Sequence, residues 1–357
     1  LMNERLAEQI SQLDQLLIEA LKVNNAFNLD TLKKQPVIAP FDPGSVGIAE
    51  PPPDPAQYQV AALSWFQKLL PNAKAHHAQQ VAEAAQRYEA DVQAHTQREA
   101  ERQNKLSQLR QEYERVVAGI RQRTASQHAE VEQLKQDYIA GKPHAITTYC
   151  SLVLEKSVYP NTFPQQAKLA YVPESKQLVV EYDLPSSECI PSVAQYKYVK
   201  SKDEISEQAR PATQRKAQYA SVVAQITLRT LYELFDADQP KHIDTIVFNG
   251  YVETIDRGTG QNTRICLVTV RTNRDTFSQL DLRRVDPAAC LKVLNASVSK
   301  SPTELVPVRP VLEFSMVDPR FIEEADVLSQ LDQRQNLMEL TPNEFEALIA
   351  NLFRAMG

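Results

Sequence analysis

The side chains that could carry chemistry in this sequence are spread singly rather than grouped in a motif. The four cysteines, Cys150, Cys189, Cys266 and Cys290, form no CxxC pair, which disfavours a zinc ribbon or a thioredoxin-type site. Reduced thiols in a cytosolic protein are the simplest interpretation. The chain has 8 glycines against 22 prolines, which counts against the glycine-rich loops that cradle phosphates in Rossmann and P-loop enzymes.

Acidic pairs are the next candidates, because two carboxylates can hold the Mg²⁺ ion of a phosphodiester hydrolase. Glu181 and Asp183 are close in sequence, but no lysine follows them at the spacing that such an enzyme requires. Glu204 and Glu207 lie in a charged stretch that is more simply explained as a solvated turn. We therefore expect no complete hydrolytic site and no bound metal in this chain.

Two clusters of basic residues are candidates for contact with nucleic acid. Tyr196 and Tyr198 interleave with the first cluster, so their rings could stack on bases beside the phosphate contacts. The net charge of −6 excludes a uniformly basic surface, and ordinary surface solvation is the alternative for both clusters. The candidate DNA-binding residues are Lys197, Lys200, Lys202, Arg210, Arg215, Lys216, Arg271, Arg274, Arg283 and Arg284.

The first part of the chain combines a helix with a proline-rich linker. Apolar residues at three- and four-residue spacing predict an amphipathic helix in residues 3–24. Seven prolines fall within residues 36–55, which indicates an extended and semi-rigid segment. We assign the helix and this linker to residues 1–58 and expect a short apolar helix at residues 58–70.

A single long helix is predicted next, in a coiled-coil region that we place at residues 59–142. Residues 72–140 contain no proline and one glycine, and an alternation of four- and three-residue steps marks one face as a heptad seam. A homodimer, or an antiparallel contact with the N-terminal helix, would cover this seam. A solvated helix packed on its own domain is the alternative. The seam consists of Val81, Ala85, Tyr88, Val92, His95, Glu99, Arg102, Leu106, Leu109, Tyr113, Val116 and Ile120.

Residues 143–317 differ in composition from the long helix, because clusters of β-branched and aromatic residues alternate with residues typical of turns. The predicted order of elements is α-β-β-β-α-β-β-α, which favours an antiparallel sheet rather than a doubly wound one. The expected fold class is therefore α+β: a long helical coiled coil followed by a mixed α+β regulatory domain with a mainly antiparallel sheet.

Two further segments complete the chain. Residues 318–340 are rich in acidic side chains and are expected to form a linker. Residues 341–357 predict a helix with Thr341 as N-cap, Pro342 at the first position and Glu344 completing a capping box. Its apolar stripe runs to the last residue, as expected for the first helix of a domain that is truncated there.

Residues 340–357, Leu-Thr-Pro-Asn-Glu-Phe-Glu-Ala-Leu-Ile-Ala-Asn-Leu-Phe-Arg-Ala-Met-Gly, resemble the opening helix of Mrr-like restriction endonuclease domains. In that family a Leu-Thr-Pro…Phe-Glu…Leu-Phe…Met-Gly helix leads into a PD-(D/E)xK nuclease core. The specific similarity covers these 18 residues. A looser similarity over residues 143–340 resembles the regulatory region of longer bacterial members that carry an N-terminal coiled coil.

The resemblance implies that the parent protein is a cytoplasmic, Mg²⁺-dependent restriction endonuclease of bacterial anti-phage defence, oligomeric through its coiled coil. The family's catalytic aspartate, second acid and lysine follow the opening helix, so this chain itself is expected to be inactive and to contact DNA weakly. Glu346 matches the glutamate of the Phe-Glu pair, and the resemblance makes it a candidate first-helix acid. A solvent-facing helix residue is the alternative for Glu346.

Two other classes of function compete with the nuclease hypothesis. One is a non-catalytic coiled-coil scaffold, and the other is a ligand-sensing protein. No stretch of the sequence approaches the roughly 18 consecutive apolar residues of a membrane span, so we expect no membrane association.

Overall fold

The chain contains two compact units, which we call the rod unit (Asp30–Val131) and the sheet unit (Leu1–Leu29 with Glu132–Gly357). The predicted α+β class is confirmed, since a long helix accompanies a mixed sheet that is mainly antiparallel. The computed structural model describes residues 2–64, 72–161, 163–201, 203–256, 258–312 and 322–324.

Helices and strands alternate irregularly along the described residues. The α-helices are α1 (Met2–Asp14), α2 (Leu16–Ala20), α3 (Ala73–Ile139), α4 (Pro143–Lys156), α5 (Ala212–Ala237), α6 (Arg274–Ser278) and α7 (Pro287–Val293). The strands are β1 (Ala167–Val172), β2 (Gln177–Asp183), β3 (Val193–Val199), β4 (Glu204–Ala209), β5 (Thr245–Ile255), β6 (Asn262–Asn273), β7 (Ser297–Val298) and β8 (Ile322–Glu324).

The main sheet has six strands in the order β7-β6-β5-β2-β1-β8. Every neighbouring pair is antiparallel except β2 and β5, which run parallel. The chain between these two strands contains the β3–β4 ribbon and α5, and a connection that includes a long helix is what a parallel pair requires. The parallel pair was not expected from the sequence.

One face of the sheet and two helices enclose the main core. Leu178, Val180, Phe248 and Val270 lie on this face and are fully buried. Helix α4 contacts β1, and α5 contacts β5. Helix α5 supplies a broad apolar face whose residues between Tyr219 and Phe235 are almost all buried, which is why this helix forms the centre of the unit.

The predicted N-terminal helix forms as two pieces, α1 and α2, with a break at Gln15. Both pieces pack on α5 through their leucines and through one buried amide. The side chain of Gln225 accepts a hydrogen bond from the Leu17 amide (3.3 Å) and donates one to the Leu13 carbonyl (3.0 Å). This amide satisfies backbone groups at the break, which would otherwise be buried without partners.

In the rod unit, a proline-rich segment that we call the strap (residues 34–61) lies along α3. The Lys34 carbonyl contacts His128 (3.1 Å) and the Ala61 carbonyl contacts His77 (3.1 Å), so the strap runs antiparallel to the helix. The 51 residues between these helix contacts span about 77 Å at 1.5 Å per residue. The strap covers this length at roughly 2.8 Å per residue, so it is extended over most of its course, with two short 3₁₀ turns at Gly44–Gly47 and Pro55–Tyr58.

The strap covers the predicted seam of α3. Phe41 packs on Tyr113 with ring centroids 5.4 Å apart, and Tyr58 packs on Tyr88 at 5.2 Å. Nine of the twelve seam residues are partly buried as a result, whereas Val81, Ala85 and Val116 are exposed. The seam is thus located where the heptad pattern predicts it, but a segment of the same chain lies on it.

The polar middle of the seam binds backbone carbonyls of the strap. His95 Nε2 lies 2.9 Å from the Glu50 carbonyl, and Arg102 Nη1 donates to the Val46 carbonyl at 2.6 Å. The Val46 carbonyl belongs to the 3₁₀ turn Gly44–Gly47, whereas the Glu50 carbonyl belongs to the extended stretch that follows this turn. Arg102 and, to a smaller extent, Gln103 donate hydrogen bonds to the Glu99 carboxylate. These hydrogen bonds lower the pKa of Glu99 to about 2.

Some expected elements differ or fall outside the described residues. Residues 59–64 of the expected short helix are not helical, and residues 65–71 are outside the described part of the chain. Within the expected acidic linker, residues 322–324 form β8 against β1. The expected terminal helix at residues 341–357 lies outside the described residues.

A buried ion pair fastens the end of α5 to the sheet. The Asp238 carboxylate, 1% exposed, accepts hydrogen bonds from Arg274 (2.5 Å), Tyr138 (3.2 Å) and two backbone amides. The Arg274 guanidinium also donates to the carbonyls of Phe235 (2.7 Å) and Ile243 (3.0 Å). This arginine, at the start of α6, therefore joins the end of α5 to the loop that precedes β5.

Arg274→Ala is expected to lower the free energy of unfolding by about 3–5 kcal/mol, because it leaves the buried Asp238 carboxylate without its cation. The measurement is urea denaturation, with Arg271→Ala as the matched control. Arg271 is exposed on the preceding strand, and its substitution should change stability by less than about 0.5 kcal/mol. Equal stabilities of the two variants would contradict this role for Arg274.

Candidate functional site

A cleft of about 1310 Å³ opens in the sheet unit. Four separate segments form its walls: α1 and α2 with the turn after them, the end of α4 with its following loop, the turn before β3, and α5. Its lining residues include Gln9, Gln12, Leu13, Leu16, Glu19, Asn24, Val153, Lys156, Ser157, Tyr159, Asn161, Phe163, Ser186, Glu188, Cys189, Arg229 and Glu233.

The floor of the cleft is a buried ion pair on α5. Arg229 Nε lies 2.7 Å from Glu233 Oε1, and the two side chains are 5% and 3% exposed. Ser157 donates a hydrogen bond to the other oxygen of Glu233, and Arg229 also donates to the Leu16 carbonyl (3.2 Å). Burial raises the pKa of Glu233, and the charge of Arg229 and the Ser157 hydrogen bond offset only part of that rise.

Aromatic rings hold this ion pair in place. The Arg229 guanidinium carbon lies 4.0 Å from the centroid of the Tyr159 ring, which is within cation–π distance. Phe163 stacks on Tyr159 with centroids 5.9 Å apart. The sequence places both rings in the short loop after α4, where Pro160 and Pro164 prevent the helix from continuing.

The rim of the cleft is polar without being strongly charged. Three carboxylates (Glu19, Glu188 and Glu233) and two cations (Lys156 and Arg229) line the cleft, together with five amide side chains. Amides and aromatic rings together suit an uncharged polar ring, because they offer hydrogen bonds and stacking. The slight excess of carboxylates disfavours a ligand with several phosphates.

A second polar cluster lies on the opposite face of the sheet. Arg264 pairs with Glu181 (2.7 Å) and with Asp183 (2.7 Å), and its guanidinium carbon is 4.4 Å from the Tyr251 ring centroid. The carboxylates named from the sequence are thus neutralised by an arginine rather than arranged around an empty metal position. Among the residues that the structure describes, no group of three His, Cys, Asp or Glu side chains is placed to hold a metal ion.

The predicted DNA-binding residues do not form one continuous surface patch of free cations. Arg274 is in the ion pair with Asp238, and Lys216 pairs with Glu304. Arg210 and Arg215 are half-buried near the start of α5. Lys202 and the candidate acid Glu346 lie outside the described residues.

Five of the predicted residues are exposed cations. Lys197 is on β3 and Lys200 follows that strand, while Arg271 is on β6 and Arg283 and Arg284 precede α7. Tyr198 beside Lys197 is 60% exposed, as a stacking residue must be, and its hydroxyl donates to Asp203 at 2.5 Å. These five residues remain the candidates for phosphate contacts.

Sequence reasoning missed the cleft, because its walls come from segments that are far apart in the chain. One signal was available: Arg229 and Glu233 have opposite charges four residues apart on a helix face that is otherwise apolar. That pattern indicates a buried, mutually compensating pair.

No protein-family model matches this chain, and neither a curated protein nor a solved structure is similar to it. In the described part of the chain, no helix is both long enough and apolar enough to cross a bilayer.

The raised pKa of Glu233 predicts a pH dependence of stability with a definite sign. The native state favours the protonated carboxyl, so this stabilisation is complete below the ordinary value of 4.5 and is lost as the pH rises through the folded pKa. The free energy of unfolding of the native sequence, relative to Glu233→Gln, should therefore fall as the pH rises above the ordinary value of 4.5. Urea titrations at each pH measure it, with Glu188→Gln on the exposed rim as control; a rising difference would contradict it.

Proposed function

We propose that this chain is the regulatory portion of a bacterial restriction-type DNA endonuclease and that the cleft of the sheet unit binds a small polar ligand. The observation that carries the regulatory role is the cleft with its buried Arg229–Glu233 floor. The nuclease context rests on the resemblance of residues 340–357 to Mrr-like endonucleases. In this proposal the protein acts in the cytoplasm, and Mg²⁺-dependent hydrolysis belongs to a core that follows the opening helix.

The lining favours a ligand of the nucleoside type, an uncharged polar ring system. The volume of the cleft, about 1310 Å³, exceeds the roughly 300–1,000 Å³ of typical small-molecule sites. A ligand of the nucleoside type therefore fits with room for water. Tyr159 and Phe163 contribute a small apolar surface, since both rings are almost buried, and the amides of Gln9, Gln12 and Asn161 offer both donors and acceptors. Binding here would bridge α1, α4 and α5, and so change their relative stability.

In the same proposal, the exposed cations of the sheet unit supply weak contacts to DNA phosphates. Lys197 and Lys200 lie on or beside the β3–β4 ribbon, and a two-stranded ribbon is a known way of presenting side chains to a DNA groove. The proposed homo-oligomer forms through the seam of α3, and the parent enzyme would then present two cutting cores.

Ligand binding predicts a rise in melting temperature when adenosine, guanosine, cytidine or uridine is added separately. A nucleoside at ten times its Kd should stabilise the protein by about 1.4 kcal/mol. For a unit of this size that shift corresponds to roughly 3–6 °C.

The matched variants for this test are two serine-to-tryptophan changes. Ser186→Trp places a ring in the cleft and should abolish the shift, whereas Ser278→Trp, on the exposed surface of α6, should preserve it. The absence of a shift with all four nucleosides, or an equal shift in Ser186→Trp, would contradict the proposed ligand site.

DNA contact predicts binding of a short duplex at low salt that weakens steeply as salt is added. Arg283→Ala/Arg284→Ala should reduce the slope of log K against log salt by about 2, since each phosphate contact contributes about 0.9. Lys105→Ala/Arg121→Ala makes the same charge change at exposed positions of α3 and serves as the control. Undetectable binding by the native sequence at low salt, measured by fluorescence anisotropy, would contradict the DNA part of the proposal.

A further inference from the structure

We propose that the seam of α3 is a docking surface for a second copy of this chain, that the two helices pack antiparallel there, and that the strap competes for the same face. This inference rests on the proposed self-association of the chain. It is independent of the proposed ligand and of the nuclease context.

The spacing of the seam is the same in both directions. Its twelve residues begin and end with a four-residue step, so the alternation of fours and threes is symmetric about a point between residues 100 and 101. When two such helices are laid antiparallel about that point, each seam residue meets the one equally far on the other side. Each layer then pairs an a position of one helix with a d position of the other, as antiparallel packing of knobs into holes requires.

Five of the six kinds of layer in the antiparallel arrangement are matched in chemistry, and the exception is His95, which faces Leu106 of the second copy. Val92 faces Leu109 of the second copy, and Tyr88 faces Tyr113 of the second copy. At the centre, Glu99 faces Arg102 of the second copy, which pairs opposite charges twice. A parallel arrangement in register would place each arginine against the same arginine and each glutamate against the same glutamate, and like charges at these positions disfavour pairing.

The strap occupies the face that a second helix would need. It packs Phe41 on Tyr113 and Tyr58 on Tyr88, and its Val46 carbonyl accepts from Arg102. These are the same side chains that form the antiparallel layers. The strap and a second copy therefore exclude each other on this surface.

The strap is held by contacts that a second helix can replace. The ion pair of Glu50 with Arg98 joins side chains that are 51% and 54% exposed, and exposed pairs contribute little stability. Val37 and Ile48 of the strap are 86% and 74% exposed, so these apolar residues add almost no burial. The seam spans about 58 Å of helix. A second copy could pack against it in twelve layers, whereas the strap packs two aromatic rings, Phe41 and Tyr58, on it.

The first experiment weakens the strap in the full chain and measures mass by analytical ultracentrifugation. Phe41→Ala/Tyr58→Ala removes both aromatic anchors and should lower the dimer Kd at least tenfold relative to the native sequence. Val37→Ala/Ile48→Ala removes exposed strap residues as the matched control and should leave the Kd unchanged. Glu50→Ala, which removes only an exposed ion pair, is a milder variant and should shift the Kd in the same direction by a smaller factor.

The second experiment determines helix direction by disulfide formation in the strap-weakened, cysteine-free background. A mixture of Val92→Cys and Leu109→Cys chains should form a mixed disulfide, since these positions adjoin in the antiparallel dimer. Val92→Cys alone should not, because its two copies are then about 26 Å apart along the helix, far beyond disulfide reach. Circular dichroism verifies that each variant keeps the helix content of the native sequence.

The outcomes separate this inference from the proposed self-association. Cross-linking of Val92→Cys to itself would overturn the antiparallel arrangement while self-association stands. Equal dimer Kd values for the native sequence, Glu50→Ala and the anchor variant would overturn the competition with the strap. Monomers throughout, with native helix content, would overturn both the inference and the proposed oligomer.

Discussion

The rod unit depends on one constraint: helix α3 must cover a face that is apolar towards both ends and charged in its middle. An apolar partner would deprive His95 and Arg102 Nη1 of the carbonyl groups that they bind on the strap, at a cost in desolvation. The strap meets the constraint with aromatic rings where the seam is aromatic and with bare carbonyls where the seam has donors. Its prolines contribute to this, because they fix φ and remove backbone donors, so that most of the segment stays extended around its two 3₁₀ turns.

The sheet unit uses arginines for a comparable purpose. Arg229, Arg264 and Arg274 each pair with a buried or nearly buried carboxylate, and each also lies over an aromatic ring. The planar guanidinium can do both, since its edge carries the donors and its face stacks. The pairs of Arg264 and Arg274 connect segments distant in sequence. At the cleft, Arg229 connects α5 to the Leu16 carbonyl of α2 before any ligand arrives, which lowers the conformational cost of binding.

The elements with a strong periodic pattern were predictable from sequence. The heptad alternation located α3, and the broad apolar face located α5, because burial of one face dictates both patterns. The break at Gln15 was not predictable, since it depends on how α1 and α2 meet Gln225 of α5. The parallel pairing of β2 and β5 was missed for a similar reason: strand order follows from the path of the connection.

The position of the strap and the walls of the cleft could not be predicted from a single sequence. A polyproline II segment has no apolar period, so its composition predicts extension but not the surface on which it lies. The seam pattern alone favoured a helix as partner, and only the polar residues from His95 to Arg102 indicated that backbone carbonyls would serve as well. The cleft combines four segments, and only the Arg229–Glu233 spacing within α5 indicated part of it.

The most direct test of the account is the distance between the strap and the seam face of α3. Spin labels at Ile48→Cys and Glu101→Cys, in a cysteine-free background, report this distance by double electron–electron resonance at low protein concentration. The account predicts one short, narrow distance, because the flanking strap residues Val46 and Glu50 contact Arg102 and Arg98. A long and broad distribution, with the helix content unchanged, would show that the strap does not occupy the seam and would contradict the account.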